Sequence, residues 1–100
     1  MRVLVTGKNG QLGRSIHKVV NNQSSGKFIF VGREELDLSS ESNINHYFNN
    51  NDRFDIIINC AAYTAVDKAE EEQELANQVN HLAVKQLSEV ANKQRAKLIQ

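Results

Sequence analysis

The chain encodes an α/β domain in which strands and helices alternate as βαβαβαβ, the N-terminal half of a doubly wound parallel sheet. Three features carry this expectation. The apolar runs at residues 3–5, 28–31 and 56–58 are continuous rather than alternating, as suits parallel strands covered on both faces. Segments of helical periodicity lie between them, and such crossovers are right-handed almost without exception. Glycines at positions 7, 10 and 13 join the first run to the first helix.

Residues 2–6 form the first strand. Gly7 then turns the chain sharply, Gly10 leaves room for a phosphate to approach the backbone, and Gly13 lets the helix pack closely on the strand. Free amides and the positive dipole end make the helix start an anion site. From Gln11, the residues Leu12, Ile16, Val19 and Val20 recur at helical spacing and set one stripe against the sheet. Residues 21–26 have loop composition. The second strand, 28–31, ends at Gly32, and Arg33, Glu34 and Glu35 follow. Ser39 is the expected N-cap of a short helix that carries Ile44, Tyr47 and Phe48 on one side. A third strand spans 54–62, and a loop through Tyr63 and Thr64 leads to a long helix over 70–93. Its stripe is Leu75, Val79, Leu82, Val90 and Ala91. Residues 97–100 begin a fourth strand.

Composition narrows the function. Twelve basic residues balance twelve acidic ones, so no basic stripe tracks a nucleic-acid backbone. No apolar run reaches membrane-spanning length, and the N-terminus reads as a strand rather than a signal peptide. Cys60 is the single cysteine, which excludes an intrachain disulfide and a cysteine metal site. A reduced, cytoplasmic protein is the natural reading. His17, His46 and His81 have no metal-ligand spacing. The acidic residues Glu70, Glu71, Glu72 and Glu74 open a helix whose far end is basic, which matches the helix dipole without a metal.

The cofactor chemistry concentrates at strand ends. In a dinucleotide fold, a carboxylate at the tip of the second strand binds a ribose 2′-hydroxyl, whereas an arginine accepts a 2′-phosphate. Here Gly32 and Arg33 occupy the tip, which leans toward NADPH or acceptance of both NADPH and NADH; a solvated surface charge is the other reading of Arg33. Asp37 and Leu38 are placed to border an adenine ring. The small residues Cys60, Ala61 and Ala62 end the third strand beside the glycine turn, where ribose and pyrophosphate can lie against backbone. Cys60 reads as a small buried residue, not a nucleophile. Tyr63 and Thr64 stand at the mouth. Asn80 shares a helical face with Ala76, Ala83 and Leu87, so its amide is expected to be largely buried and to need partners, pinning nearby backbone.

With the turn Gly7-Lys8-Asn9-Gly10-Gln11-Leu12-Gly13, the segment from Asp55 through Asn59-Cys60-Ala61-Ala62-Tyr63-Thr64 to Glu70, and Val79-Asn80-His81-Leu82, the chain resembles the extended short-chain dehydrogenase/reductases. Within them it is most similar to the dTDP-4-dehydrorhamnose reductases. The resemblance runs over essentially all residues given. It implies a Rossmann domain in which Gly10, Gln11 and Leu12 meet the cofactor pyrophosphate. It places Asp37 and Leu38 near adenine, and Ala61, Ala62, Tyr63 and Thr64 near the ribose and nicotinamide. It also implies a dTDP-keto-sugar substrate, reduced at C4 by hydride from NADPH or NADH, with a Ser/Thr-Tyr-Lys set to supply the proton and orient the carbonyl. None of that set falls within these residues. The chain stops inside a strand, so residues 1–100 are expected to be the cofactor-binding part of a longer protein, inactive by themselves. Some family members form a magnesium-bridged dimer through an acid at the position of Ser15. Serine argues against that bridge, while a homodimer of another kind stays open. Two other readings share the fold: a nucleotide-sensing regulatory relative, and a nucleotide-sugar epimerase or dehydratase. A Tyr-x-x-x-Lys pair beyond Gln100 separates enzyme from regulator, and product analysis separates reduction from epimerisation.

Overall fold

The computed structural model describes residues 1–21, 27–61 and 78–100. Strands β1 (Arg2–Thr6), β2 (Lys27–Val31), β3 (Ile56–Asn59) and β4 (Lys97–Ile99) pair in parallel, in the order β2-β1-β3-β4. The expected α/β, doubly wound arrangement is therefore present. The chain steps to one side of β1 for β2 and returns to the other side for β3. That reversal brings the carboxyl ends of β1 and β3 together, with Thr6 opposite both Val31 and Asn59.

Register sorts the side chains into two faces, because successive residues of a strand point to opposite sides. Ile29, Leu4, Ile57 and Leu98 form one row across the sheet. This face is covered by α2 (Glu41–Asn49) and α3 (Ala83–Gln94), whose Ile44, Phe48, Ala83, Leu87 and Ala91 complete the core with Phe54. Val3 and Val5 point to the other face and are also buried. There α1 (Gln11–Asn21) crosses, and the His17 ring lies over Phe30 with centroids 4.4 Å apart.

Several expectations are corrected by the packing. Phe28, Ile29 and Phe30 are only half-buried, because β2 lies at the edge of the sheet as described. On α1 the inward positions are Gly13, Ile16 and Val20, while Leu12 and Val19 are 58% and 59% exposed. Contact at Gly13 fixes the rotation of the helix, and residues one position earlier turn away by about 100°. The cap of α2 is Ser40, whose hydroxyl accepts the Asn43 N–H at 3.2 Å. Ser39 is diverted to Asp37, to which its N–H and hydroxyl donate at 3.0 and 2.5 Å.

Strand β3 ends at Asn59 rather than running to 62, since the amides of Cys60 and Ala61 turn to the Thr6 hydroxyl. Residues 62–77 lie outside the described residues, and with them the start of the expected long helix, Leu75 and the acidic run. A π-helical turn (Gln78–Leu82) precedes α3. Its wider winding shifts the phase, so Ala83, Leu87 and Ala91 form the buried stripe and Leu82 is 49% exposed.

The end of α3 carries a Schellman motif. Arg95 takes the left-handed conformation (φ 57°), its N–H reaches the Asn92 carbonyl at 3.2 Å, and Ala96 N–H reaches the Ala91 carbonyl at 2.7 Å. Glycine is the usual residue there, because a Cβ strains that region by about 1–2 kcal/mol. Arg95 is exposed. Arg95→Gly is therefore expected to raise stability by about 0.5–1 kcal/mol after the entropy of glycine is set against the strain. Urea unfolding checks it: an unchanged or lower midpoint would contradict the strained cap.

Candidate nucleotide-binding site

The site is built where three strand ends meet one helix start. At the end of β1, Gly7 has φ +68°, and a Cβ on it would sit 2.7 Å from the Ala61 nitrogen. The chain leaving β3 thus lies directly on the turn. Gly13 is pressed as closely against it, since a Cβ there would fall 2.2 Å from the Gly7 carbonyl oxygen. These contacts fix helix α1 to the strand end with no side chain between them. Gly10 differs. Among the described residues a Cβ there would meet only the Gly7 carbonyl oxygen, at an ordinary 3.4 Å, so its bareness serves the open side of the turn.

The first helical bond after the turn runs from Arg14 N–H to the Gly10 carbonyl at 3.0 Å. The amides of Gln11, Leu12 and Gly13 precede it, and an α-helix leaves such first-turn donors without internal acceptors. They head a helix whose positive dipole end faces the strand ends, which suits an anion. Gln11 and Leu12 are exposed at this start.

A buried polar knot holds the two central strands together. The Thr6 hydroxyl donates to Asn59 Oδ1 at 2.6 Å and accepts the N–H groups of Cys60 and Ala61 at 3.2 and 3.3 Å. Ala61 N–H also lies 3.3 Å from Asn59 Oδ1. No buried side-chain polar atom of the knot lacks a partner. It stands in for the ladder bonds that β3 gives up, and it sets the height of Cys60 and Ala61 above Gly7. Thr6 escaped the sequence reading. A hydroxyl closing an otherwise apolar run was the signal that could have found it.

An open cleft of about 230 Å³ lies over these residues. Its floor is Thr6, Gly7, Gly10 and Ala61, and its far wall is Gly32, Arg33, Leu36, Asp37 and Leu38 from the tip of β2. Leu36 and Leu38 are nearly buried and present an apolar surface, of the kind that covers a flat ring. Asp37 is locally held. Its N–H donates to Asn43 Oδ1 at 2.7 Å, and the Ser39 hydroxyl above all, helped by the Ser39 amide and Arg33, holds its carboxyl below the usual range against the opposing effect of burial. Arg33 is 74% exposed, with Nε 3.9 Å from Asp37 Oδ1.

Of the residues expected from sequence, Gly7, Gly10, Arg33, Asp37, Leu38 and Ala61 thus border one cleft. Gln11, Leu12 and Gly13 stand beside it in the helix start. Ala62, Tyr63 and Thr64 lie outside the described residues. Asn80 sits in the π-helical turn and is partly rather than largely buried, because the wider turn rotates it from the Ala83–Leu87 line; its neighbour Val79 reaches the cleft. Burial pushes the Cys60 thiol pKa up, which leaves it a poor nucleophile. Among the described residues no cluster of histidine, cysteine or carboxylate side chains has the geometry to hold a metal ion. Among them, too, no helix is long and apolar enough to cross a membrane.

Comparison with known proteins gives the family. The family model for the RmlD substrate binding domain matches residues 1–100. The chain is 39% identical over 92 residues to a dTDP-4-dehydrorhamnose reductase of Aggregatibacter actinomycetemcomitans, covering 90% of this chain and 30% of that protein. It superposes with a TM-score of 0.89 on the crystal structure of a dTDP-4-dehydrorhamnose reductase from Clostridium acetobutylicum, at 38% identity, covering 100% of this chain and 35% of the other. A dTDP-4-dehydrorhamnose reductase from Bacillus anthracis, solved in complex with NADP, gives a TM-score of 0.83 at 34% identity, over 97% of this chain and 34% of that one. The chain spans about a third of the length of these relatives. A glycine turn of Rossmann type, a sheet that reverses over it, and a family match along the whole length converge: the chain belongs to the RmlD substrate binding domain family.

Proposed function

We propose that these residues form the N-terminal, cofactor-binding part of a dTDP-4-dehydrorhamnose reductase that uses NADPH or NADH. The observation that carries the reading is the bare face of Gly10. A glycine that no contact among the described residues demands, set among the first-turn amides of a helix, fits a site where pyrophosphate lies on the backbone. The similarity to reductases of that name, one of them solved with NADP, supports the same assignment.

In this reading Gly10, Gln11 and Leu12 bind the pyrophosphate, Asp37 and Leu38 border adenine, and Arg33 stands at the adenosine ribose. Ala61, Ala62, Tyr63 and Thr64 lie along the nicotinamide half, and Asn80 pins backbone beneath it. When bound, the cofactor supplies the hydride that takes dTDP-4-dehydro-L-rhamnose to dTDP-L-rhamnose, for polysaccharide synthesis. The whole protein works in the cytoplasm, without membrane or nucleic-acid partners, and the Ser/Thr-Tyr-Lys set is supplied by chain beyond Gln100. Residues 1–100 by themselves bind nucleotide weakly at best and turn over no sugar.

Gly10→Ala tests the carrying observation in the native-length protein. The new methyl has space in the fold, and a change at a helix cap costs about 1 kcal/mol or less. It stands where the phosphate has to approach, so affinity for NADP⁺ is expected to fall by about tenfold or more, roughly the loss of one good charge-assisted hydrogen bond. Calorimetric titration with wild-type affinity would remove the pyrophosphate from this turn. Oxidation of NADPH in the presence of the dTDP-keto-sugar then checks the substrate.

A further inference from the structure

Beside the cleft lies a shallow hollow lined by Lys8, Asn9, Gly32, Arg33, Glu35 and Asp37. Lys8 belongs to the glycine turn and Glu35 to the tip of β2, 27 positions later, yet they form a direct ion pair. The stem of Lys8 runs along Gly32, since a Cβ on that glycine would lie 3.2 Å from Lys8 Cε. The other carboxylate oxygen of Glu35 accepts the Gly32 N–H at 2.9 Å. Glu35 thus ties the lysine to the backbone at the point where β2 ends. Lys8 first, and then the Gly32 amide, hold its carboxyl below the usual carboxylate range.

The tip of β2 is where a dinucleotide fold reads the 2′ position of the adenosine ribose. A 2′-phosphate brings nearly two negative charges near pH 7 and needs cations. Two stand here, and neither is uncommitted: Arg33 lies near Asp37, and Lys8 is paired with Glu35. With Glu34 the tip carries three acids against two bases. A 2′-hydroxyl carries no charge and makes no such demand on the pair.

We propose that the Lys8–Glu35 pair, more than Arg33, sets the choice between 2′-phosphorylated and 2′-hydroxyl cofactor. Glu35 is the specificity-determining residue: it keeps Lys8 neutralised, and a 2′-phosphate has to draw the lysine away from it. This rests on the cofactor reading of the site. In such a site NADPH and NADH are accepted on similar terms, because the phosphate gains Lys8 only by giving up the existing pair.

The experiment measures NADP⁺ and NAD⁺, which differ only in the 2′-phosphate, by calorimetric titration of the native-length protein. Glu35→Gln keeps an oxygen for the Gly32 N–H and removes the charge. It is expected to tighten NADP⁺ about fivefold, the scale of one exposed charge pair, with NAD⁺ within about twofold of wild type. Lys8→Gln is expected to weaken NADP⁺ by a similar factor and to leave NAD⁺ alone. A residue that only shapes the turn would move both ligands together. Equal shifts in both, or none in either, would therefore overturn the proposal while the nucleotide site stands. Wild-type protein that binds neither ligand would overturn the cofactor reading and this inference together.

Discussion

Gly13→Ala is expected to cost the protein both stability and cofactor. The added methyl would fall 2.2 Å from the Gly7 carbonyl oxygen and 2.9 Å from the carbon that bears it. A carbon and an oxygen normally stay at least about 3.3 Å apart, so α1 or the turn has to move by roughly 1 Å. Neither is a flexible side-chain end. Both are backbone, and Gly7 is itself held against Ala61. Overpacking of this kind costs about 1–3 kcal/mol. The same movement carries the first-turn amides off the position proposed for the phosphate, so NADP⁺ affinity is expected to fall by about tenfold or more in the folded protein. Denaturant unfolding and calorimetric titration read the two effects separately. A variant with wild-type midpoint and affinity would show that the helix does not depend on this contact.

Phe54→Ala is expected to give the largest loss of stability and to leave binding alone. Phe54 is fully buried. Its ring meets Phe48 edge-on with centroids 6.1 Å apart, stacks parallel to Tyr47 at 6.4 Å, and lies under the Arg2 guanidinium at 4.8 Å. Truncating such a ring costs about 3–5 kcal/mol, a large share of the roughly 5–15 kcal/mol that holds a domain folded. Its backbone N–H, bonded to Gln94 Oε1 at 2.9 Å, is untouched by the change. Cys60 follows six positions later, about 20 Å along extended chain, so the cavity opens at the opposite end of the sheet from the cleft. The denaturation midpoint should drop strongly with an unchanged slope, while the folded protein binds NADP⁺ within about twofold of wild type. A comparable fall in affinity would mean that the two ends of β3 are coupled. Beside Gly10→Ala and Gly13→Ala, this variant completes a set in which fold and binding fail separately and together.

The strands, their parallel sense and the glycine turn were determined by sequence alone, because each rests on local physics. Continuous apolar runs need cover on two faces, and three glycines at that spacing suit a turn with a helix held against it. Gly7 and Gly13 did just what their positions required. Helix rotation was decided only by tertiary contact. On α1 the apolar residues surround more than one stripe, and the touch of Gly13 on Gly7 chose Ile16 and Val20 over Leu12 and Val19. On α3 a single π turn moved the phase, which no periodicity of side chains could announce. Competition between neighbours chose Ser40 over Ser39 as a cap, since Asp37 had already engaged Ser39. The polar contacts that shape the site join residues far apart in the chain: Thr6 with Asn59, Lys8 with Glu35. Composition supplies such groups, but only the strand order that reverses at β1 brings their elements to the same edge, and so decides which of them meet.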